Sequence, residues 1–154
     1  MLHWRIANGQ GATQVVLYGE ITELASFGEL RLLRGPVVLD LAGVKRMNSL
    51  GVEALCTFLE ELDGAAVFEA ERCSPAVVSQ LNILPDLAKH LAVRSVLVPI
   101  ECPRCLQEME ALVKITSVGS SPTLPPAACD DCGAEMRLAE PAERYFAFLL
   151  EPVG

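Results

Sequence analysis

The chain has 154 residues, of which 51% are apolar, and its formal net charge is −8. This length suits one ordinary domain, or a compact domain of about 100 residues with a small added module, and the apolar share supports a sizeable core. Residues 99–154 carry 4 Lys and Arg against 9 Asp and Glu, which is too few cations to neutralise a phosphate backbone. We therefore predict that the protein binds no nucleic acid.

The sequence also argues against membrane insertion. No uninterrupted apolar run approaches the ~18 residues that span a bilayer, and the start of the chain lacks a charged-then-apolar signal pattern. We predict a soluble cytoplasmic protein without a membrane partner. A reducing compartment favours metal binding over disulfide formation for paired cysteines.

The first elements are a hairpin and a short helical segment. Residues 2–7 and 14–19 alternate between apolar and polar side chains, and residues 8–11 between them have the composition of a turn. Leu24 begins a series of apolar residues at three-residue steps, which predicts a short helix. We expect Gly35 and Pro36 to end that helix.

The central part alternates buried strands with helices. Residues 37–41 are almost continuously apolar, as in a strand buried on both faces. Residues 48–51 open a predicted helix with apolar positions at helical spacing, and Gly64 stops it. A third buried strand over residues 65–69 follows.

Ser74 and Pro75 supply the cap and first position of another helix, which runs towards Leu81. A further helical turn over residues 86–91 leads to a short strand over residues 93–98. Strands that alternate with helices predict an α/β domain with crossover connections.

Four cysteines form two pairs, Cys102-Pro-Arg-Cys105 and Cys129-Asp-Asp-Cys132. Each pair has the spacing of a zinc knuckle, and two knuckles supply the four sulfur ligands of a closed tetrahedral site. The 23 residues between the pairs slightly exceed the roughly 15–20 of a zinc ribbon, and extra loop length costs little. We predict one structural Zn²⁺ without an open position for substrate. Disulfides or two unrelated pairs are the alternatives.

The cysteines divide the chain into a predicted domain over residues 1–98 and a zinc-ribbon module over residues 99–154 that relies on metal for its folding. Within the module we predict a ribbon strand over residues 112–118 and an irregular loop over residues 119–126. Residues 141–150 are rich in aromatic side chains, and periodicity does not separate helix from strand there. Cys56 and Cys73, outside the pairs, are expected to be buried thiols.

The segment from Val37 to Leu55, with the sequence VVLDLAGVKRMNSLGVEAL, resembles the central signature of STAS domains, which sulfate transporters and anti-sigma factor antagonists share. The earlier YGEI at 18–21 and the later SPAV at 74–77 are similar to two further family motifs. The resemblance covers residues 2–98. It implies an STAS-like mixed sheet with helices and a protein-binding, regulatory function.

The resemblance also implies a regulated site. In bacterial antagonists of this family, a partner kinase phosphorylates the serine after the Asp of the motif, and the matching residue is Ser49. Here Asn48 stands in place of that Asp, and Leu50 follows the serine. Asn48 or Ser49 as a plain helix cap is the alternative to a phosphoswitch. Residues Asn48, Ser49, Leu50 and Gly51 are the predicted partner-binding turn.

We therefore predict a non-enzymatic regulatory or scaffold protein. Its partner would be an anti-sigma or serine kinase or another STAS protein, and self-association stays open. His3 and His90 are expected to be surface residues, without a catalytic set. The alternatives are a thiol oxidoreductase that uses Cys102 and Cys105, and a zinc-ribbon nucleic-acid adaptor. The acidic tail over residues 143–150 is a competing partner site.

Overall fold

The structure, a computed structural model, describes residues 1–115, 124 and 126–149. The strands in these residues are β1 (Leu2–Asn8), β2 (Thr13–Ile21), β3 (Gly35–Met47), β4 (Ala66–Glu71), β5 (Ala92–Val93), β6 (Ser95–Glu101), β7 (Glu108–Lys114) and β8 (Arg137–Leu138). The α-helices are α1 (Ser49–Glu61), α2 (Pro75–Ile83), α3 (Asp86–His90) and α4 (Ala142–Tyr145), and two 3-10 helices span Gly28–Leu32 and Ala147–Leu149.

The first sheet has the strand order β1-β2-β3-β4-β5. The hairpin partners β1 and β2 are antiparallel, and the other neighbours are parallel because helical segments connect them as crossovers. The prediction of a mixed α/β sheet with helices is confirmed. The predicted starts of two helices are also correct, since the side chains of Asn48 and Ser74 cap α1 and α2.

The core lies between this sheet and its helices. Phe58 of α1 stacks on Phe27 at 4.5 Å between ring centroids and meets Phe68 of β4 at 5.8 Å. The alternating pattern of the strands sends Leu39 and Leu41 into this core and turns Asp40 to the opposite face of the sheet.

The predicted helix that begins at Leu24 is wrong in extent. Only the 3-10 turn Gly28–Leu32 forms, and Leu24 is 84% exposed. Gly35 and Pro36 begin β3 instead of ending a helix. Gly35 adopts a φ of 75° and donates its backbone N–H to the Ala65 carbonyl at 2.8 Å, which pins the start of the strand.

The strand predicted over residues 93–98 is two strands in two sheets. The chain leaves the first sheet after β5 and enters the second, whose order is β7-β6-β8, at Ser95. Strand β6 runs across the predicted boundary between residues 98 and 99, and the core is continuous from Val96 to Cys102 and Tyr145. The division into two domains stays a prediction.

The last third of the chain differs in detail from the expected ribbon. Strand β7 begins and ends earlier than the predicted strand over 112–118, whose last three residues lie outside the described residues. The predicted loop over 119–126 also lies outside them, apart from Leu124 and Pro126. The aromatic tail forms α4 and a 3-10 turn, and it buries Tyr145, Phe146 and Leu149.

Candidate metal centre and partner surface

The sulfurs of Cys102, Cys105, Cys129 and Cys132 converge at one point. All four lie within 4.8 Å of one another. The Sγ–Sγ distances from one turn to the other, Cys102 to Cys132 and Cys105 to Cys129, are both 3.4 Å. We call this group the metal centre. The fold therefore brings the two predicted pairs together at metal-binding distance.

Two matching turns build the metal centre. The Cys102 carbonyl accepts the N–H of Leu106 at 3.0 Å, and the Cys129 carbonyl accepts the N–H of Gly133 at 2.9 Å. Leu106 and Gly133 follow the second cysteine of their turns and have φ values of 62° and 74°. Each turn thus ends on a residue in the left-handed region, which glycine adopts without strain and leucine does not.

The donor set fits a tetrahedral metal ion. Zn–S bonds of about 2.3 Å place sulfurs roughly 3.8 Å apart at the corners of a tetrahedron, within the range found here. The backbone N–H groups of Cys105 and Arg104 approach the Cys102 sulfur at 3.5 and 3.4 Å and lower the pKa of Cys102 to about 6. Such donors stabilise a thiolate, which is the form that binds metal.

A second sulfur behaves in the opposite way. The backbone N–H of Gln107 lowers the pKa of Cys105, but hydrogen bonds with the sulfurs of Cys129 and Cys102 raise it to about 12 overall. Neighbouring sulfurs oppose each other's ionisation, since like charges at this separation repel. A divalent cation is the group that relieves this repulsion, and soft sulfur ligands in fourfold arrangement are typical of zinc. The identity of the ion stays a prediction.

The remaining cysteines lie apart from the metal centre. Cys73 is fully buried, and burial, with the nearby charge of Asp40, raises its pKa to about 12. Cys56 on α1 is partly buried, and burial raises its pKa as well. Both are therefore poor nucleophiles at neutral pH.

The predicted partner-binding turn is the N-terminus of α1. Asn48 Oδ1 accepts the backbone N–H of Gly51 at 2.8 Å, which is a helix cap. Gly51 packs directly on β2, because a Cβ there would lie 1.9 Å from the Ile21 carbonyl oxygen. Ser49 is exposed, and Leu50 is 52% exposed. The turn is thus fixed against the sheet while two of its side chains face outward.

The structure adds two residues that sequence reasoning did not assign to this turn. Asn48 Nδ2 donates to Glu23 Oε2 at 2.9 Å, so the segment after β2 lies beside the turn. This hydrogen bond lowers the pKa of Glu23. Leu24, which follows Glu23, is almost fully exposed. No signal in the sequence pointed to these two residues, because the apolar spacing that begins at Leu24 predicted a helix there. We call Glu23, Leu24, Asn48, Ser49 and Leu50 the partner surface.

The histidines do not join a catalytic set in the part of the chain that the structure describes. His3 is exposed and stacks on Tyr18 with ring centroids 5.4 Å apart. His90, partly buried, lies with Nε2 3.3 Å from Glu60 Oε1. None of the described helices is long and apolar enough to cross a membrane.

Comparisons with known proteins give little more. No protein family model matches the chain, and no curated protein matches its sequence. Its fold is similar to the crystal structure of an anti-sigma factor antagonist from Mycobacterium paratuberculosis, with a TM-score of 0.45 and 20% sequence identity. That likeness covers 60% of this chain and 85% of the other. Similarity at this level decides neither the family nor the function of the chain.

Proposed function

We propose that this chain is a non-enzymatic regulatory protein that binds a protein partner through the partner surface. The observation that carries the proposal is the pair of outward-facing leucines, Leu24 and Leu50, on segments joined by the Asn48–Glu23 hydrogen bond. Exposed apolar side chains held on a fixed backbone are typical anchors of protein interfaces. Neither leucine belongs to the core that the described residues form.

The chemistry of the partner surface suggests what it binds. The Asn48 amide favours the ionised form of Glu23, and no salt bridge joins this carboxylate to a cation within residues 1–115, 124 and 126–149. We expect a partner with an apolar hollow for the leucines and a Lys or Arg opposite Glu23. The STAS resemblance of residues 2–98 points to an anti-sigma or serine kinase, or to another STAS protein.

Ser49 is the proposed control point. A phosphate on its exposed hydroxyl would add nearly two negative charges beside Glu23 and next to Leu50. We expect phosphorylation to weaken partner binding, because the new charge would lie next to the apolar Leu50 and the acidic Glu23. The positive end of the α1 dipole would stabilise the phosphate group in the free protein. Ser49→Asp should act in the same direction and more weakly.

The metal centre supports this role structurally. We assign one Zn²⁺ to the four cysteine sulfurs, and a closed site of this kind supplies stability without chemistry. Cys102 has a lowered pKa but is buried, which makes it unsuited to attack a disulfide from solvent. We therefore rank the thiol oxidoreductase function below the binding function and expect no nucleic-acid binding. Reduced cysteines would place the protein in the cytoplasm.

The test is capture from the native host followed by calorimetry with the purified partner. Leu24→Asp, Leu50→Asp and Ser49→Asp should each weaken binding by about tenfold or more if these side chains lie in the interface. Leu32→Asp is the matched control, because Leu32 is 77% exposed, between Leu50 and Leu24, and lies outside the partner surface. Unchanged affinity in all three variants would show that the interface lies outside the partner surface. If deletion of the acidic tail over residues 143–150 then abolishes binding, the interface lies in that tail.

A further inference from the structure

A recess of about 500 Å³ opens on the face of the first sheet that points away from the helices. Trp4 meets Gly28 on the helical side, so the next residue of β1, Arg5, projects to the opposite face. Asp40 projects the same way, between two core leucines of β3. We call this feature the sheet recess, and its lining consists of Arg5, Val16, Tyr18, Asp40, Ala42, Gly43 and Arg72.

The floor of the sheet recess exists because of small residues and an irregular strand pairing. The register of β2 and β3 shifts between Val16 and Tyr18, so that Tyr18 comes to lie opposite Gly43. A Cβ at Gly43 would lie 2.6 Å from the Cβ of Tyr18, so no larger residue fits there. Shifts of this kind often occur next to binding sites, because they redirect one side chain.

One wall of the sheet recess is a guanidinium held in place. Arg72 has a φ of 52°, an unfavourable conformation for a residue with a side chain, and its backbone N–H donates to Ser95 Oγ at 2.8 Å. Arg72 Nη1 donates to Asp40 Oδ2 at 3.0 Å, and Asp40 Oδ1 accepts the N–H of Ala42 at 3.0 Å. Since a guanidinium has five N–H donors, this ion pair orients Arg72 without saturating it.

The opposite wall combines a cation with an aromatic ring. The Arg5 guanidinium carbon lies 5.8 Å from the centroid of the Tyr18 ring, and no carboxylate forms a salt bridge with Arg5 in the described part of the chain. The lining therefore carries two arginines against one aspartate. Glu71 lies opposite Asp40 in the β3–β4 register but does not line the recess. A cationic recess on a chain of net charge −8 is suited to an anion.

We propose that the sheet recess binds a small aryl anion, a planar ring that carries a carboxylate or a phosphate. Arg72 and Arg5 would bind the charged group through charge-assisted hydrogen bonds. The ring would pack on the small floor at Gly43 and against the part of the Tyr18 ring that His3 leaves exposed. The volume of the recess falls in the usual range of about 300–1,000 Å³ for small-molecule sites. This inference is independent of the partner surface, which involves none of the lining residues.

The experiment is a titration of the ¹⁵N-labelled full chain, with zinc present, followed by NMR amide shifts. The probes are naphthoate, its uncharged isostere naphthamide, and inorganic phosphate. We expect naphthoate to shift the amides of Val16, Tyr18 and Gly43 saturably. Arg5→Gln and Arg72→Gln should each weaken naphthoate binding by at least about fivefold, as loss of a charged hydrogen bond predicts. Arg31→Gln, at an exposed arginine paired with Glu61, should leave it unchanged.

Several outcomes would overturn the proposal. Absence of saturable shifts with naphthoate would show that the recess binds no aryl anion. If naphthamide binds as tightly as naphthoate, the negative charge is not recognised. If inorganic phosphate binds as tightly as naphthoate, the aromatic ring is not recognised. Equal weakening by Arg31→Gln would point to a general charge effect. If Arg72→Gln alters the fold, as judged by its amide spectrum, Arg5→Gln decides the question alone.

Discussion

Asn82 of α2 donates a hydrogen bond from its Nδ2 to the backbone carbonyl of Tyr145 at 3.0 Å. The same side chain accepts the N–H of Phe148 on its Oδ1 at 2.8 Å, and the Tyr145 hydroxyl donates to the Leu97 carbonyl. The Asn82 amide thus joins the C-terminal segment to α2, which packs on the first sheet, and the Tyr145 phenol joins the same segment to β6. The segment after the metal centre is part of the common core.

This arrangement predicts that Asn82→Ala destabilises the whole chain. Loss of the amide would leave two partly buried backbone groups without partners, at a cost of about 2–4 kcal/mol in the free energy of unfolding. Urea unfolding followed by circular dichroism measures the change. Asn8→Ala, at the exposed end of β1, is the matched control and should stay within about 0.5 kcal/mol of wild type. Equal stability of the two variants would mean that the two hydrogen bonds of Asn82 contribute nothing to the free energy of unfolding.

Metal removal tests both the metal centre and the extent of its influence. We expect one zinc per chain, and its removal by a chelator should release residues 102–107 and 127–136 from protection against hydrogen exchange. Because the Asn82 side chain binds Tyr145 and Phe148 independently of the metal, we expect residues 142–149 and the first sheet to keep their protection. Cys132→Ser should reproduce the pattern, whereas Cys56→Ser should not. Loss of protection over all described residues beyond 98 would instead support an autonomous, metal-dependent module.

The two turns of the metal centre should respond in opposite directions to substitution. Gly133→Ala forces a side chain into the left-handed region, which costs about 1–2 kcal/mol and should weaken zinc affinity by roughly tenfold. Leu106→Gly relieves the same strain, so its affinity should equal or exceed that of wild type. Competition with a chromophoric chelator measures both. A weaker affinity in Leu106→Gly would show that the exposed leucine stabilises the turn by contacts.

Tyr145 should make the chain sensitive to alkali. Burial, and then the charge of Glu140, raise the pKa of Tyr145 above the ~10 of an unfolded tyrosine. Above that pH the unfolded state loses the phenolic proton first, so it binds fewer protons than the native state and stability falls as pH rises. Tyr145→Phe should cost about 1 kcal/mol at neutral pH through the lost hydrogen bond to Leu97, yet show a shallower decline above pH ~10. Urea midpoints across that range, with Tyr18→Phe controlling for the loss of a phenol, test the slope. Parallel declines in wild type and Tyr145→Phe would contradict the assignment.

Local sequence signals determined the elements with strong periodicity or caps. Asn48 and Ser74 marked helix starts correctly because capping depends on residues within one turn of each other. The two cysteine pairs indicated a metal centre for the same reason, since each knuckle is a local turn with fixed spacing. The apolar run at residues 37–41 likewise predicted a central strand, although β3 extends further at both ends.

Tertiary structure alone decided how distant segments meet. The short helix expected at Leu24 is limited to Gly28–Leu32, Leu24 lies on the surface, and the preceding Glu23 accepts a hydrogen bond from Asn48. The strand expected over 93–98 divided between two sheets, since backbone pairing with both Ala70 and Lys114 fixes the chain there. Glu23 near Asn48, Arg72 near Asp40 and Asn82 near Tyr145 are each brought together across 25 or more residues. The periodicity of a sequence indicates which face of a helix or strand a residue occupies. It does not indicate which distant residue lies next to that face, because strand order and the packing of the crossover helices determine that contact.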